Sequence, residues 1–143
     1  MKIEILQNSS FAVPEEEIRM YVHQILKQVK KRCATYPKNK KEIVIVFMDE
    51  KSAKDLNQQF RKKNYATDVL SFDPVDPESL GELVLCAQVV DRQAKEHELS
   101  FLEETIYLVI HGILHLLGYE HENDPEGEKE MMALQDEIFD LLV

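Results

Sequence analysis

Cysteine is scarce in this chain. Cys33 and Cys86 are the only two among 143 residues, and neither sits in a CxxC pair or any other thiol spacing that reads as a zinc or redox site. A disulfide framework is thereby excluded, and two lone cysteines fit a reducing compartment. Long apolar runs are lacking as well, the longest being far shorter than a membrane span. The N-terminal stretch MKIEILQNSS alternates polar and apolar residues and turns polar by Gln7, without the unbroken apolar core of a signal peptide. The expectation is a cytoplasmic protein with no membrane association. No repeat, low-complexity tract or long linker interrupts the sequence. One domain over 1–143 follows, large enough to bury its core without a structural metal, so that any metal is available for function.

Basic charge is in deficit overall but not everywhere. The net charge is −10, yet residues 27–63 carry 12 basic and 4 acidic side chains, a net of +8, whereas 64–143 carry 3 basic and 19 acidic, a net of −16. A globally acidic protein binds nucleic acid poorly. A local cluster such as Lys27, Lys30, Lys31, Arg32, Lys38, Lys40, Lys41, Arg61, Lys62 and Lys63 can still meet phosphates. Charge alone favours a solvated helix face and loop.

The hydrophobic period alternates between strand and helix. Lys2–Leu6 reads as a half-buried strand, and Pro14 opens a helix with Ile18, Tyr21, Val22, Ile25, Leu26 and Val29 on one face. After a loop at Tyr36–Lys41, Ile43–Met48 is a continuous β-favouring run, which predicts a central strand covered on both faces. Ser52 and Asp55 resemble the cap of a short helix that carries Leu56 and Phe60 and ends near Arg61–Asn64. Val69–Phe72 and Leu83–Cys86 read as an antiparallel pair, and Val89–His97 as a short helix. Ser100 and Glu103 form a capping box for Phe101–Leu117, apolar nearly all round and so destined for the core, with Gly118 at a left-handed C-terminal cap. Asp124 and Pro125 start a last helix with Met131, Leu134, Ile138 and Leu142 as its inward stripe. The order predicts an α+β domain with a mixed four-stranded sheet and five to six helices.

Positions 111–121 read HGILHLLGYEH, an HxxxHxxGxxH pattern. On a helix, residues four apart share a face, so His111 and His115 can reach one ion, and a positive φ at Gly118 returns His121 to it as a third ligand. Three neutral imidazoles suit zinc, with nickel, cobalt and iron as competitors, and leave one coordination position open for water or substrate. Three of the five histidines fall within eleven residues on an apolar helix, where an unpaired imidazole is costly to bury. His23 and His97 have no such company and read as surface or satisfied core residues. Metzincin peptidases share the spacing but place a general-base glutamate after the first histidine. Here Gly112 stands there, which keeps the ligand scaffold and removes the peptidase base. A metal-bound water with a pKa near about 7 supplies hydroxide without that base.

Three blocks, LNQQFR at 56–61, TDVLSF at 67–72 and HGILHLLGYEH at 111–121, with a looser GELVLC at 81–86, resemble in order and spacing the YbeY family of bacterial endoribonucleases. The resemblance implies that His111, His115 and His121 bind zinc and, with Arg61, form the catalytic set, Arg61 facing the same cleft to engage RNA phosphate. A guanidinium suits that role because it stays charged and makes paired hydrogen bonds to phosphate oxygens. The TDVLSF block reads mainly as scaffold, with Thr67, Asp68 and Ser71 as possible cleft residues. The chain departs from the family pattern in four places: Lys62 replaces the usual glycine, Asp73 the usual proline, and Glu82 and Glu120 the usual aspartates.

The resemblance implies a zinc-dependent, single-strand-specific endoribonuclease acting in 16S rRNA 3′ end maturation and ribosome quality control, with one zinc, nickel or similar ion per chain. Its partners would be ribosomal RNA precursors and the small ribosomal subunit with its proteins, not DNA. Two other readings stand beside it: a non-catalytic zinc-containing ribosome-assembly factor, and, disfavoured by Gly112, a metallopeptidase.

Overall fold

Lys2–Asn8 forms strand β1, burying Ile3 and Ile5 while Lys2 and Leu6 face out. The computed structural model describes residues 1–62, 67–119 and 124–143. Helix α1 (Glu15–Arg32) has Glu15, Glu16 and Glu17 in its first turn and Lys30, Lys31 and Arg32 in its last. Both charge sets complement the helix dipole, while Ile18, Val22, Ile25, Leu26 and Val29 go inward as the periodicity predicts. Strand β2 (Glu42–Met48) runs parallel to β1, with Ile3 opposite Ile43. On its other side it is parallel to β4 (Ser79–Cys86), and β3 (Val69–Phe72) closes the sheet antiparallel to β4, giving the order β1-β2-β4-β3. The expected central strand is thus interior. Ile43, Ile45 and Phe47 enter the main core, and Val46 lies with Leu70 and Val84 in a second cluster.

Helix α2 (Glu50–Arg61) differs from expectation at both its start and its apolar face. Its N-cap is Asp49, not Ser52, and the Asp49 side chain makes no capping bond, the Glu50 N–H donating instead to Gln88 Oε1 at 3.1 Å. The Asp49 carboxylate is engaged elsewhere, accepting from Gln88 Nε2 at 2.7 Å and from the Ser10 backbone N–H at 3.0 Å. These bonds hold its pKa below the ordinary carboxylate value and tie the loop after β1 to the start of α3 (Ala87–Glu96). Phe60 is not a core residue: it is exposed and meets Phe72 edge to face.

Helix α4 (Phe101–Leu116) is the core helix, with Ile106, Val109, Ile110, Ile113 and Leu114 buried. It packs against α1, α3, β3, β4 and α5 (Pro125–Leu142). The described residues thus make one α+β domain with five helices and a four-stranded mixed sheet. Among them, no single helix is long and apolar enough to cross a membrane. His23 is exposed. His97 is half-exposed and bonded through Nδ1 to the fully buried Glu104 carboxylate at 2.9 Å, a contact that raises the histidine's pKa.

Candidate active site

The site is built on the C-terminal half of α4, whose two ends are fixed by local chemistry. At the start, Ser100 Oγ accepts from the Glu103 N–H at 3.0 Å and the Glu103 carboxylate accepts from the Ser100 N–H at 2.9 Å, so the expected capping box is present. At the other end, the Gly118 N–H reaches the His115 carbonyl at 3.0 Å and the Tyr119 N–H reaches that of Leu114 at 3.1 Å. This pair of bonds is a Schellman motif, made possible by φ +97° at Gly118. The chain turns back where the sequence predicts. Tyr119 is held there by its hydroxyl's contact with Cys33 Sγ at 3.5 Å. That contact, with burial, pushes the phenol pKa up to about 12.

His111 and His115, one turn apart, place their ring centroids 4.9 Å from each other at 63° between planes. Both line a cleft of about 570 Å³. Arg61, from the end of α2, lines the same cleft, as do Thr67 and Asp68 and, from the edge strand β3, Val69, Leu70 and Ser71. Arg61 and His111 are fifty positions apart in the chain, so the fold, not local spacing, brings them to one cavity. Asp68 Oδ1 accepts from the Val69 N–H at 2.7 Å, which orients that carboxylate at the cleft wall. Asp73 also lines the cleft.

His121 and Glu120 lie outside the described residues. Among the described residues no group of three metal-competent side chains converges. The two histidines that are described fit a borderline-soft ion such as zinc in donor type and separation, whereas a hard ion would call for a cage of oxygens. Glu82 is not a cleft residue: it is exposed on β4 and lines a separate groove with Val44, Leu56, Phe60 and Phe72.

The sequence reading missed Gln135. It sits on α5 within the apolar stripe, is 1% exposed, and places Oε1 3.1 Å from His111 Nδ1. The available signal was a polar residue at an inward position between Met131 and Ile138, since buried amides are kept only where they find a partner.

Lys62 has φ 55° and caps α2 in the left-handed region, which accounts physically for glycine being the usual residue there. A side chain in that region costs about 1–2 kcal/mol, against which glycine's extra unfolded-state entropy costs about 0.5–1 kcal/mol. Lys62→Gly should therefore stabilise the protein by about 0.5–1 kcal/mol. The measurement is a urea midpoint that rises at constant m-value, and a lowered midpoint would show that the lysine side chain makes contacts worth more than the strain.

Paired imidazoles and a guanidinium lining one open cleft, on an α+β frame, make a site suited to an anionic ester and to hydrolytic chemistry. Comparison with known proteins gives the class its particular form. Residues 2–143 match the family model described as Endoribonuclease YbeY. An Endoribonuclease YbeY from Bdellovibrio bacteriovorus is 44% identical over all of this chain and 96% of its own length. One from Pseudomonas putida is 39% identical over 96% of this chain and 87% of its own. The solution structure of TM1509 from Thermotoga maritima superposes with a TM-score of 0.68 at 30% identity, over 99% of this chain and 89% of that one. The chain belongs to the YbeY endoribonuclease family, and its reaction is internal cleavage of RNA phosphodiesters.

Proposed function

We propose that this chain is a metal-dependent, single-strand-specific endoribonuclease that trims ribosomal RNA precursors at the 3′ end of 16S rRNA and takes part in ribosome quality control. It does so in the cytoplasm in contact with the small ribosomal subunit. The observation that carries the reading is the convergence of Arg61, His111 and His115 on one cleft. His111 and His115, with His121 as third ligand, would hold one zinc, nickel or similar ion. When bound, such an ion supplies Lewis-acid chemistry and a hydroxide at neutral pH. Arg61 binds non-bridging phosphate oxygens and offsets charge that builds during attack. Edge strand β3 lines the cleft, and its main-chain groups not taken by β4 offer a surface along which an extended strand can lie.

Charge supports the same face. The basic C-terminal turn of α1 adjoins the cleft through the Cys33–Tyr119 contact, and Lys62 follows Arg61 directly. Lys41 pairs with Glu78, and Arg32 with Glu137, so Lys30, Lys31 and Lys62 are the better candidates for long-range attraction of RNA.

The test is a cleavage assay on single-stranded RNA and on casein, with chelator-treated protein and with protein reloaded with zinc. The expected outcome is RNA cleavage that follows the metal, with casein intact. Native mass spectrometry should find close to one ion per chain in the wild type and none in His115→Ala. Stoichiometric metal in that variant removes the three-histidine site, and a metal-loaded wild type that cuts no RNA hands the function to the assembly-factor reading.

A further inference from the structure

We propose that Gln135 is a positioning residue that fixes the tautomer of His111, and so presets Nε2 as the atom directed at a metal. The proposal rests on the metal-centred reading above and deepens it. Gln135 is a neutral amide at an inward position of α5, buried to 1% exposure among apolar neighbours. A buried amide without partners is destabilising, so its placement there calls for a reason beyond packing. Its oxygen faces His111 Nδ1 at 3.1 Å. An amide oxygen only accepts, so Nδ1 must carry the proton and donate it. In a neutral imidazole the lone pair then resides on Nε2. The bond also restrains the ring about its side-chain torsions, because α5 is anchored to α4 through the apolar residues on either side of Gln135, Met131 and Ile138. The two helices therefore divide the work: α4 supplies the imidazole, and α5 sets which of its nitrogens is basic. Such outer partners of a ligating histidine are typically worth about 10- to 100-fold in metal affinity.

Two variants separate positioning from packing. Gln135→Met keeps the unbranched shape and removes the acceptor, whereas Gln135→Glu restores an acceptor at the same reach. The first readout is the nitrogen-15 chemical shifts of His111 in the full chain without metal, recorded at pH 8. The wild type and the glutamate variant should show a protonated Nδ1 and a lone pair on Nε2. The methionine variant should show the other tautomer or a mixture, with His115 unchanged in all three. The second readout is zinc affinity by competition with a chromophoric chelator. The methionine variant should bind about 10- to 100-fold more weakly, and the glutamate variant at least as tightly as wild type. A wild-type His111 protonated on Nε2, or a methionine variant with wild-type shifts and affinity, overturns the proposal. If the wild type binds no zinc, the metal-centred function falls, while the tautomer shifts still decide the role of Gln135.

Discussion

Arg61→Ala should lower cleavage of single-stranded RNA by about 100-fold or more while leaving fold and metal content intact, the scale expected when one preorganised donor to developing charge is deleted. The separation of effects follows from where Arg61 sits. It is exposed on the last turn of α2, a different element from the helix that carries His111 and His115. On an exposed surface, helix-dipole and ion-pair interactions of a cation are each worth at most about 1 kcal/mol, so the stability change should be small. In the cleft the loss is larger, because the guanidinium lines the cavity that also takes His111 and His115, where the charge developing on a phosphate would meet it. Arg61→Lys should recover only part of the rate, since an ammonium keeps the charge and loses the paired hydrogen bonds. Single-turnover rates, metal content and thermal unfolding on the same preparations distinguish the cases. Full activity in the alanine variant would remove Arg61 from the mechanism, and loss of metal or of fold would make its role structural.

Much of the frame was legible because its signals are local. The capping box at Ser100, the reversal at Gly118 and the inward stripe of α1 each depend on residues within a turn or two, and each is found where expected. The interior position of β2 was readable from its unbroken apolar run. The errors fall where a side chain is used across elements. Asp49 begins α2 without capping it because its carboxylate is bonded to Ser10 and Gln88, and nothing near Asp49 in sequence announces those partners. Strand β4 begins at Ser79, not Leu83, since a parallel neighbour supplies hydrogen bonds that the weak strand formers Ser79 and Gly81 do not call for. Gln135 escaped because hydrophobic periodicity assigns a polar residue outward by default, whereas His111 supplies a partner inside. The histidine spacing and the family blocks marked Arg61, His111 and His115, and only the fold, with β3 packed against α4 and α2 against β4, shows them on one cavity. His121 lies outside the described residues.

Gly112→Glu, which installs the residue a metzincin carries after its first histidine, should destabilise the protein by about 4 kcal/mol or more and create no peptidase. Position 112 is rotated by about 100° around the helix from His111, and it faces the sheet. A Cβ built there lies 2.6 Å from Leu83 Cδ2 and 3.4 Å from Leu83 Cγ, and Leu83 is fully buried in the main core. Overpacking at such a contact costs about 1–3 kcal/mol, and burying a carboxylate without a partner adds several more or forces it to take up a proton. Replacing glycine in a helix returns only about 0.5–1 kcal/mol. The sum is a large fraction of the roughly 5–15 kcal/mol that holds a domain of ordinary stability together. Gly112→Ala isolates the steric part: its helix propensity gain is outweighed by the Leu83 contact, for a net loss of about 1 kcal/mol. Urea titrations of the three proteins should therefore rank wild type above alanine above glutamate, and casein should survive incubation with all of them. A glutamate variant within about 1 kcal/mol of wild type would show that the side chain escapes the Leu83 contact toward the cleft. Metal-dependent casein cleavage by that variant would show that it reaches the histidines, and the absence of peptidase chemistry in the native chain would then rest on one missing carboxylate, not on the orientation of the helix.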